Sequence, residues 1–124
     1  VLSNIGSIYL RLSKFQEAIE SYERAKLLNE KDSALRVYLG HAYARIGKYR
    51  EAISEVSKAV ELGNTSNEVQ FFLGNLYLCA KNKESALAQH AIVQRSNPEL
   101  ARKLYQAIYS DKLIILSLDE IARK

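Results

Sequence analysis

The chain has 124 residues and a mass of 14.1 kDa, with 48% hydrophobic and 26% charged side chains, a globular balance and not a disordered or collagenous one. Eighteen basic against fourteen acidic residues leave a formal charge of +4, too mild by itself to imply nucleic acid. A single cysteine excludes an internal disulfide framework, and no apolar run, Leu113–Leu116 included, approaches the ~20 residues of a membrane span.

The chain opens on Val1, contains no Met, and has no basic start leading into an apolar stretch. No signal peptide is visible, and a processed product or an excised piece of a longer protein is expected. Compartment stays open, with the cytoplasm favoured. Leu2, Ile5, Tyr9 and Leu12 step by three and four, which predicts a helix with one apolar face. A break at Ser13-Lys14 leads to a second helical stripe of Phe15, Ala18, Ile19, Tyr22 and Ala25. Asp32-Ser33 suits the N-cap of a third helix, with Leu39, Tyr43 and Ile46 on its stripe. Gly47-Lys48 breaks it, and Tyr49, Ala52, Ile53, Val56 and Ala59 mark a fourth. Gly63-Asn64 is a turn signal and Ser66 the next N-cap. The fifth and sixth helices are separated at Lys81-Asn82. Asn97-Pro98 ends that pair, and Pro98 fits the first position of a seventh helix whose apolar face is Leu100, Leu104, Ala107 and Ile108. Short breaks favour antiparallel neighbours. Alternating β-branched runs are absent, so strands are not expected. The apolar run Leu113–Leu116 follows, and Ser117 with Glu120 forms a capping-box pattern that predicts a short helix through about Lys124. That tail either folds back on the seventh helix or packs against another chain or domain.

Several columns keep one offset. Gly6, Gly40 and Gly74 are 34 residues apart, as are Tyr9, Tyr43 and Tyr77, and Ala18, Ala52 and Ala86. Ile5, Leu39 and Leu73 precede the glycines, and Ala25, Ala59 and Val93 form a further column. A glycine inside a helix costs about 1 kcal/mol against alanine. Its recurrence at one phase predicts close helix approach, with Ala18, Ala52 and Ala86 as the matching small contacts.

Enzymatic chemistry is not expected. There is no phosphate-binding glycine loop, no HExxH and no CxxC. His41 and His90 fall on different helix types, and no set of three or four metal ligands converges; no cofactor is implied. Cys79 has no neighbouring base and reads as an apolar filler or an idle thiol. His90 reads as an interior hydrogen-bonded residue. Glu17, Glu20 and Glu23 read as a solvated helix face. Asn64-Thr65-Ser66 fits an N-glycosylation pattern, of consequence only in a secreted eukaryotic chain. Basic residues are interleaved with acids and most tyrosines fall in packing columns, so nucleic acid is not expected as a partner.

Leu-Gly-x-x-Tyr, then Ala, then an aromatic or apolar residue, then Ala, at a period of 34, resembles the tetratricopeptide repeat. The resemblance covers residues 1–98 as repeats 1–32, 33–66 and 67–98, leaving a capping helix at 99–110 and the apolar tail at 111–124. The family's large residue near the start of the first helix is matched by Leu2 but replaced by Arg36 and Gln70 later, and its closing proline appears only as Pro98, with Glu30 and Asn64 earlier. Lys83 stands where the other copies have Phe15 and Tyr49, and His90 where they have Tyr22 and Val56. The resemblance implies an all-α, right-handed α-α superhelix, or solenoid, of three helix hairpins with a capping helix and a short tail helix.

It also implies a concave groove lined by first helices. The matching positions are Ser3, Ser7 and Arg11, then Val37, His41, Ala44 and Arg45, then Phe71, Asn75, Leu78 and Cys79, with Tyr38 and Phe72 at the edge. Arg11 and Arg45 are repeat equivalents, and no acid shares their stripes. The expected function is a non-enzymatic protein-protein interaction module within a larger protein. Its partner peptide would carry an acidic residue beside an apolar anchor. The rival reading pairs both arginines with acids such as Glu17 or Glu51. Some family members hold the terminal carboxylate of chaperone tails with a Lys/Asn/Asn/Lys/Arg set; the matching positions here are Ser3, Ser7, His41, Phe71 and Asn75, so no such clamp is expected. The alternatives are a self-association or scaffold element giving a homo-oligomer through residues 111–124, and an auxiliary domain of an enzyme. No membrane insertion is expected.

Overall fold

The structure is a computed structural model that describes residues 2–110; the tail at 111–124, with the short helix expected from Ser117, lies outside the described residues. Seven helices run in chain order: α1 Leu2–Arg11, α2 Phe15–Leu28, α3 Ser33–Arg45, α4 Tyr49–Glu61, α5 Asn67–Cys79, α6 Lys83–Ser96 and α7 Pro98–Ser110. No strand occurs among the described residues. The helices fall into two compact units, Val1–Thr65 and Ser66–Lys124.

In the first unit α2 packs on both α1 and α3, and α3 packs on α4. Ala18, Ile19, Tyr22 and Ala25 of α2 meet Leu35, Leu39 and Ala42 of α3 in one core, with Tyr9, Leu10 and Tyr43 against it. In the second unit α6 packs on α5 and α7, and α7 also reaches α5. Phe71, Ala86, Leu104 and Ile108 form its core, flanked by Tyr77, Leu78, Leu87, Leu100 and Ala107.

Local chemistry sets the helix ends. Asp32 accepts a hydrogen bond from the Leu35 N–H at 3.1 Å, and Ser66 accepts one from Val69 at 3.3 Å, the N-caps expected from sequence. Asn82 and Asn97 do the same for Ser85 and Leu100. The three hairpin turns share one device. The N–H groups of Lys14, Lys48 and Asn82 donate to the carbonyls of Tyr9, Tyr43 and Tyr77 at 2.9, 2.9 and 2.8 Å. The residue before each donor has positive φ: Ser13 at 60°, Gly47 at 79° and Lys81 at 62°. This closing turn satisfies carbonyls left open at a helix end. Only Gly47 is the residue type that the left-handed conformation favours.

Two of the mid-helix glycines permit close approach, though not by the alanines expected. A Cβ on Gly6 would lie 2.8 Å from two carbons of the Tyr22 ring. A Cβ on Gly74 would lie 2.7 Å from Leu104 Cδ2. Ala18 and Ala86 are fully buried, yet the glycines make room for a large side chain in each case.

The first unit also holds a charged cluster that departs from a simple apolar core. Glu55, buried on α4, accepts from Lys26 of α2 at 2.9 Å and from Arg36 of α3 at 3.1 Å. Arg36 Nε also donates to the Glu30 carbonyl at 3.0 Å. Arg36 therefore replaces the family's large residue with a fork that ties α3 to α4 and to the turn before α3, while Glu55 joins α2, α3 and α4. Glu23 belongs to the same cluster, accepting from Lys26 and from the Tyr43 hydroxyl, both at 3.2 Å, so it is not the solvated acid its spacing suggested. Burial lowers the Lys26 pKa, but Glu55 and Glu23 outweigh it, leaving the ammonium stabilised. Burial and then Glu23 push the Tyr43 hydroxyl up to about 12, so it stays a donor.

Candidate functional site

In the first unit a chain of polar and aromatic contacts joins α1, α2 and α3. The Ser7 hydroxyl lies 2.9 Å from the Tyr22 hydroxyl, and the Tyr22 ring stacks on Tyr38 with centroids 6.1 Å apart and planes inclined by 16°. Tyr22 is fully buried, whereas Tyr38 is 46% exposed and offers the outer ring of the stack. Burial raises the Tyr22 pKa, the Ser7 bond lowers it and neighbouring Tyr38 adds to the rise; the net direction is upward.

Along α3, Val37 and His41 are partly buried and Arg45 is exposed. Burial first, and the Arg45 charge second, hold the His41 pKa down at about 4. His41 is therefore neutral at neutral pH. The Arg45 guanidinium carbon stands 4.9 Å from the centroid of the Phe15 ring, a cation–π placement. Arg11 is exposed at the end of α1. Among the described residues neither arginine makes an ion pair; the pairs found join Lys26 to Glu23 and Glu55, Arg36 to Glu55, and Lys58 to Glu61. The pairing of these arginines with Glu17 or Glu51 is thus absent there. The structure brings Ser7, Tyr38, Val37, His41 and Arg45 onto helices of one unit, and the Ser3 side chain lies outside the described residues.

The second-unit residues are placed differently. Phe71 is buried in the core with Leu104 and Ile108. Asn75 is fully buried, and among the described residues neither its amide nitrogen nor its amide oxygen has a hydrogen-bond partner. Leu78 packs partly buried against the same core, and Cys79 is partly buried. Helical phase assigns these residues to the groove stripe, but α7 covers Phe71. The signal for it was present: Leu104 and Ile108 were the apolar face of α7, and Phe71 is what they meet.

Two features escaped the sequence reading. Tyr22 and Phe15, expected only as packing residues, prove to be the platforms beneath Tyr38 and Arg45. Their aromatic character was visible, but the residue that would lie on each ring was not. Elsewhere, the His90 ring contacts Tyr105 at 5.4 Å between centroids. Burial pushes the Cys79 thiol up to about 11, so at neutral pH it is protonated and a poor nucleophile. No group of three or more metal-ligating side chains converges among the described residues. No helix among them is long and apolar enough to cross a membrane.

Models of the tetratricopeptide repeat match residues 1–32 and 39–92. The chain belongs to the tetratricopeptide repeat family. Solved tetratricopeptide domains have the same fold. The first such domain of Spaghetti (RPAP3), bound to the HSP90 peptide SRMEEVD, is 25% identical, with a TM-score of 0.76 over 86% of this chain and 90% of that one. The first tetratricopeptide domain of human RPAP3 is 26% identical, with a TM-score of 0.75 over 89% and 91% of the two chains. The second domain of human RPAP3, in complex with the HSP70 peptide SGPTIEEVD, is 21% identical with a TM-score of 0.78 over 86% and 91%. No curated protein matches the chain. The all-α solenoid class expected from sequence is that of these tetratricopeptide structures. Tetratricopeptide domains are protein-protein interaction modules and typically not enzymes.

Proposed function

We propose that this tetratricopeptide chain is a non-enzymatic module that binds a partner peptide on the α1–α3 face, through a carboxylate on the peptide and an apolar anchor beside it. The observation that carries this reading is Arg45, held over Phe15 with no carboxylate paired to it among the described residues, next to neutral His41. A guanidinium held by a ring loses less side-chain entropy when it accepts a carboxylate, and charge-assisted bonds are the stronger kind. Tyr38 and Val37 supply apolar contact, and Ser7 and His41 uncharged hydrogen bonding. Arg11 extends the basic stripe. An exposed ion pair contributes only ~0–1 kcal/mol, so the apolar anchor sets affinity and the arginines set selectivity. With Phe71 and Asn75 buried in the second unit, the first unit carries the recognition. α7 serves as the cap of the second unit, and the three repeats are 1–32, 33–66 and 67–98.

The test is a partner captured from the native host and measured against an Arg11→Glu/Arg45→Glu protein of unchanged helicity. Loss of binding and of its salt dependence is expected; survival of both would refute the basic face. Spaghetti's domain is bound to an HSP90 peptide, but Ser7, His41, Phe71 and Asn75 do not supply a cationic carboxylate clamp here. Titration with SRMEEVD should accordingly show no binding that depends on its free C-terminus.

A second reading, self-association through residues 111–124, is favoured by one observation: Ile5, Ile8 and Leu12 form an exposed apolar stripe along α1 and its C-terminal turn.

A further inference from the structure

The two hairpin turns of the first unit are near copies. Arg11-Leu12-Ser13-Lys14-Phe15 joins α1 to α2, and Arg45-Ile46-Gly47-Lys48-Tyr49 joins α3 to α4, position for position 34 residues apart. Short turns reverse the chain at each step, so both hairpin turns lie at one edge of the unit. Arg11, Lys14, Arg45 and Lys48 are exposed there with Arg50, and none of the five makes an ion pair among the described residues. The acids that accompany them are Glu17 and Glu51. The opposite edge has the reverse balance: residues 28–33 and 61–65 carry Glu30, Asp32 and Glu61 against Lys31.

Helix stability does not account for these cations. Arg11 and Arg45 end α1 and α3, where the helix dipole favours positive charge. Lys14 and Lys48 stand at the N-caps of α2 and α4 without a side-chain cap bond, and Arg50 is in the first turn of α4, where the same dipole opposes them. Packing does not absorb the apolar residues between them either. Ile46 is 37% exposed with helices before and after it in the unit, and Ala80 at the same station of the repeat is exposed too. The exposure of Leu12, 60%, therefore follows its station in the repeat and not its place in the chain.

We propose that this edge rests on an anionic phospholipid surface, with Leu12 and Ile46 entering the headgroup layer and the cations facing lipid phosphates and carboxylates. Such contact is peripheral and needs no spanning helix; none occurs among the described residues. A headgroup layer offers negative charge outside and acyl chain just beneath, which suits an apolar tip set between cations. An acidic protein segment would meet the cations but offers no apolar layer level with both tips. Leu27 and Leu28 are exposed as well, but near Glu30 and Asp32, which the same surface repels. The unit therefore has one lipid-facing edge. This goes beyond peptide binding on the α1–α3 face, whose Arg11 and Arg45 lie at the border of the edge.

Co-sedimentation of the full chain with vesicles tests this, using either pure phosphatidylcholine or phosphatidylcholine with roughly one third phosphatidylserine. Binding to the anionic vesicles alone, lost as salt rises, is expected. Lys14→Glu/Lys48→Glu, which keeps Arg11 and Arg45, should lower it about tenfold or more at unchanged helicity. Arg50→Glu, an acid in a first helical turn, serves if that pair unfolds. The chain has no Trp, so Ile46→Trp places one reporter at the edge. Its emission should shift to the blue on anionic vesicles and be quenched by brominated acyl chains. Equal binding to both vesicles, or to neither, would overturn the proposal. So would charge-dependent binding without the Trp shift, or binding of polyglutamate as tight as that of vesicles, either of which would make the edge a face for an acidic protein. Full vesicle binding by the lysine and Arg50 variants would overturn it as well.

Discussion

The helix seams α2/α3 and α6/α7 occupy equivalent stations in the repeat and solve one packing problem with opposite chemistry. At α2/α3 the second helix contributes the rings: Phe15 lies under Arg45, and Tyr22 lies under Tyr38. At α6/α7 the equivalent residues are Lys83 and His90, and the rings come from the following helix. Lys83 Nζ stands 4.7 Å from the Tyr109 ring centroid, and His90 packs on Tyr105, which in turn contacts Tyr109 at 4.6 Å. At Lys83 and His90 the aromatic contact is supplied by α7. What changes is the location of the charge: the ring-held cation is on α3 in the first unit and on α6 in the second. Only the first arrangement places it on the helix that carries the proposed site.

The largest effect should come from the apolar core peculiar to the second unit. Leu104 is fully buried, meets Phe71, Ala86 and Ile108, and fills the space that Gly74 leaves. Leu104→Ala should cost about 3 kcal/mol, as the lost transfer energy and a residual cavity add. Chemical denaturation followed by circular dichroism measures it. A cost under about 1 kcal/mol would mean that α7 contributes little to the unit.

Exchanging the seam residues sharpens the comparison further. Tyr22→His removes the hydroxyl contact with Ser7 and exchanges a fully buried phenol ring for a smaller, polar imidazole, so about 2 kcal/mol should be lost. The reverse exchange, His90→Tyr, enlarges the ring at a partly buried position beside Tyr105 and should change stability by less than about 0.5 kcal/mol. Equal costs for the two would contradict the inference that ring placement differs between the seams.

Acid separates the units by a different route. The His41 pKa is lowered in the fold, so the unfolded chain takes up a proton from about pH 6.5 downward while the native protein does not until about 4. Native stability is therefore full above the unfolded value and declines as pH falls through this window. Allowing for partial exposure, about 1–2 kcal/mol is at stake. His41→Gln should flatten the stability profile between pH 6.5 and 4. An unchanged slope would show that other groups set it.

Much of this architecture was legible in the sequence because it depends on contacts within one hairpin or the next. Columns of Gly, Tyr and Ala at a fixed offset report helix pairing, and Asp32 and Ser66 report helix starts through a bond three residues long. The site was legible only as a stripe. Periodicity says which residues share a face of α5, but not that α7 lies over Phe71. It marks Gly6 and Gly74 as close-approach points, but not that a Tyr22 ring and a Leu104 side chain fill them. Lys26, Arg36 and Glu55 come together over 29 and 19 residues of separation, and no local pattern announces that Glu55 would be buried between two cations. Arg45 over Phe15 is of the same kind: both residues were visible, and their stacking was not.

The smallest expected effect tests whether the location of the charge matters to function as well as to packing. Arg45→Gln and Lys83→Gln each remove a cation from an aromatic face while keeping a long polar side chain. Such contacts contribute roughly 0.5–1 kcal/mol at exposed sites, so both variants should unfold within about 1 kcal/mol of the parent. Their binding behaviour should diverge. Arg45 is the cation beside His41, and its loss should weaken a captured partner and reduce the salt dependence of binding. Lys83 lies at the other seam, and its loss should leave both unchanged. Matched stabilities with unequal binding would separate the recognition role of the α2/α3 cation from the packing role that both cations share. Equal binding losses would mean that Arg45 has no recognition role beyond that of Lys83, and no loss in either would remove Arg45 from recognition.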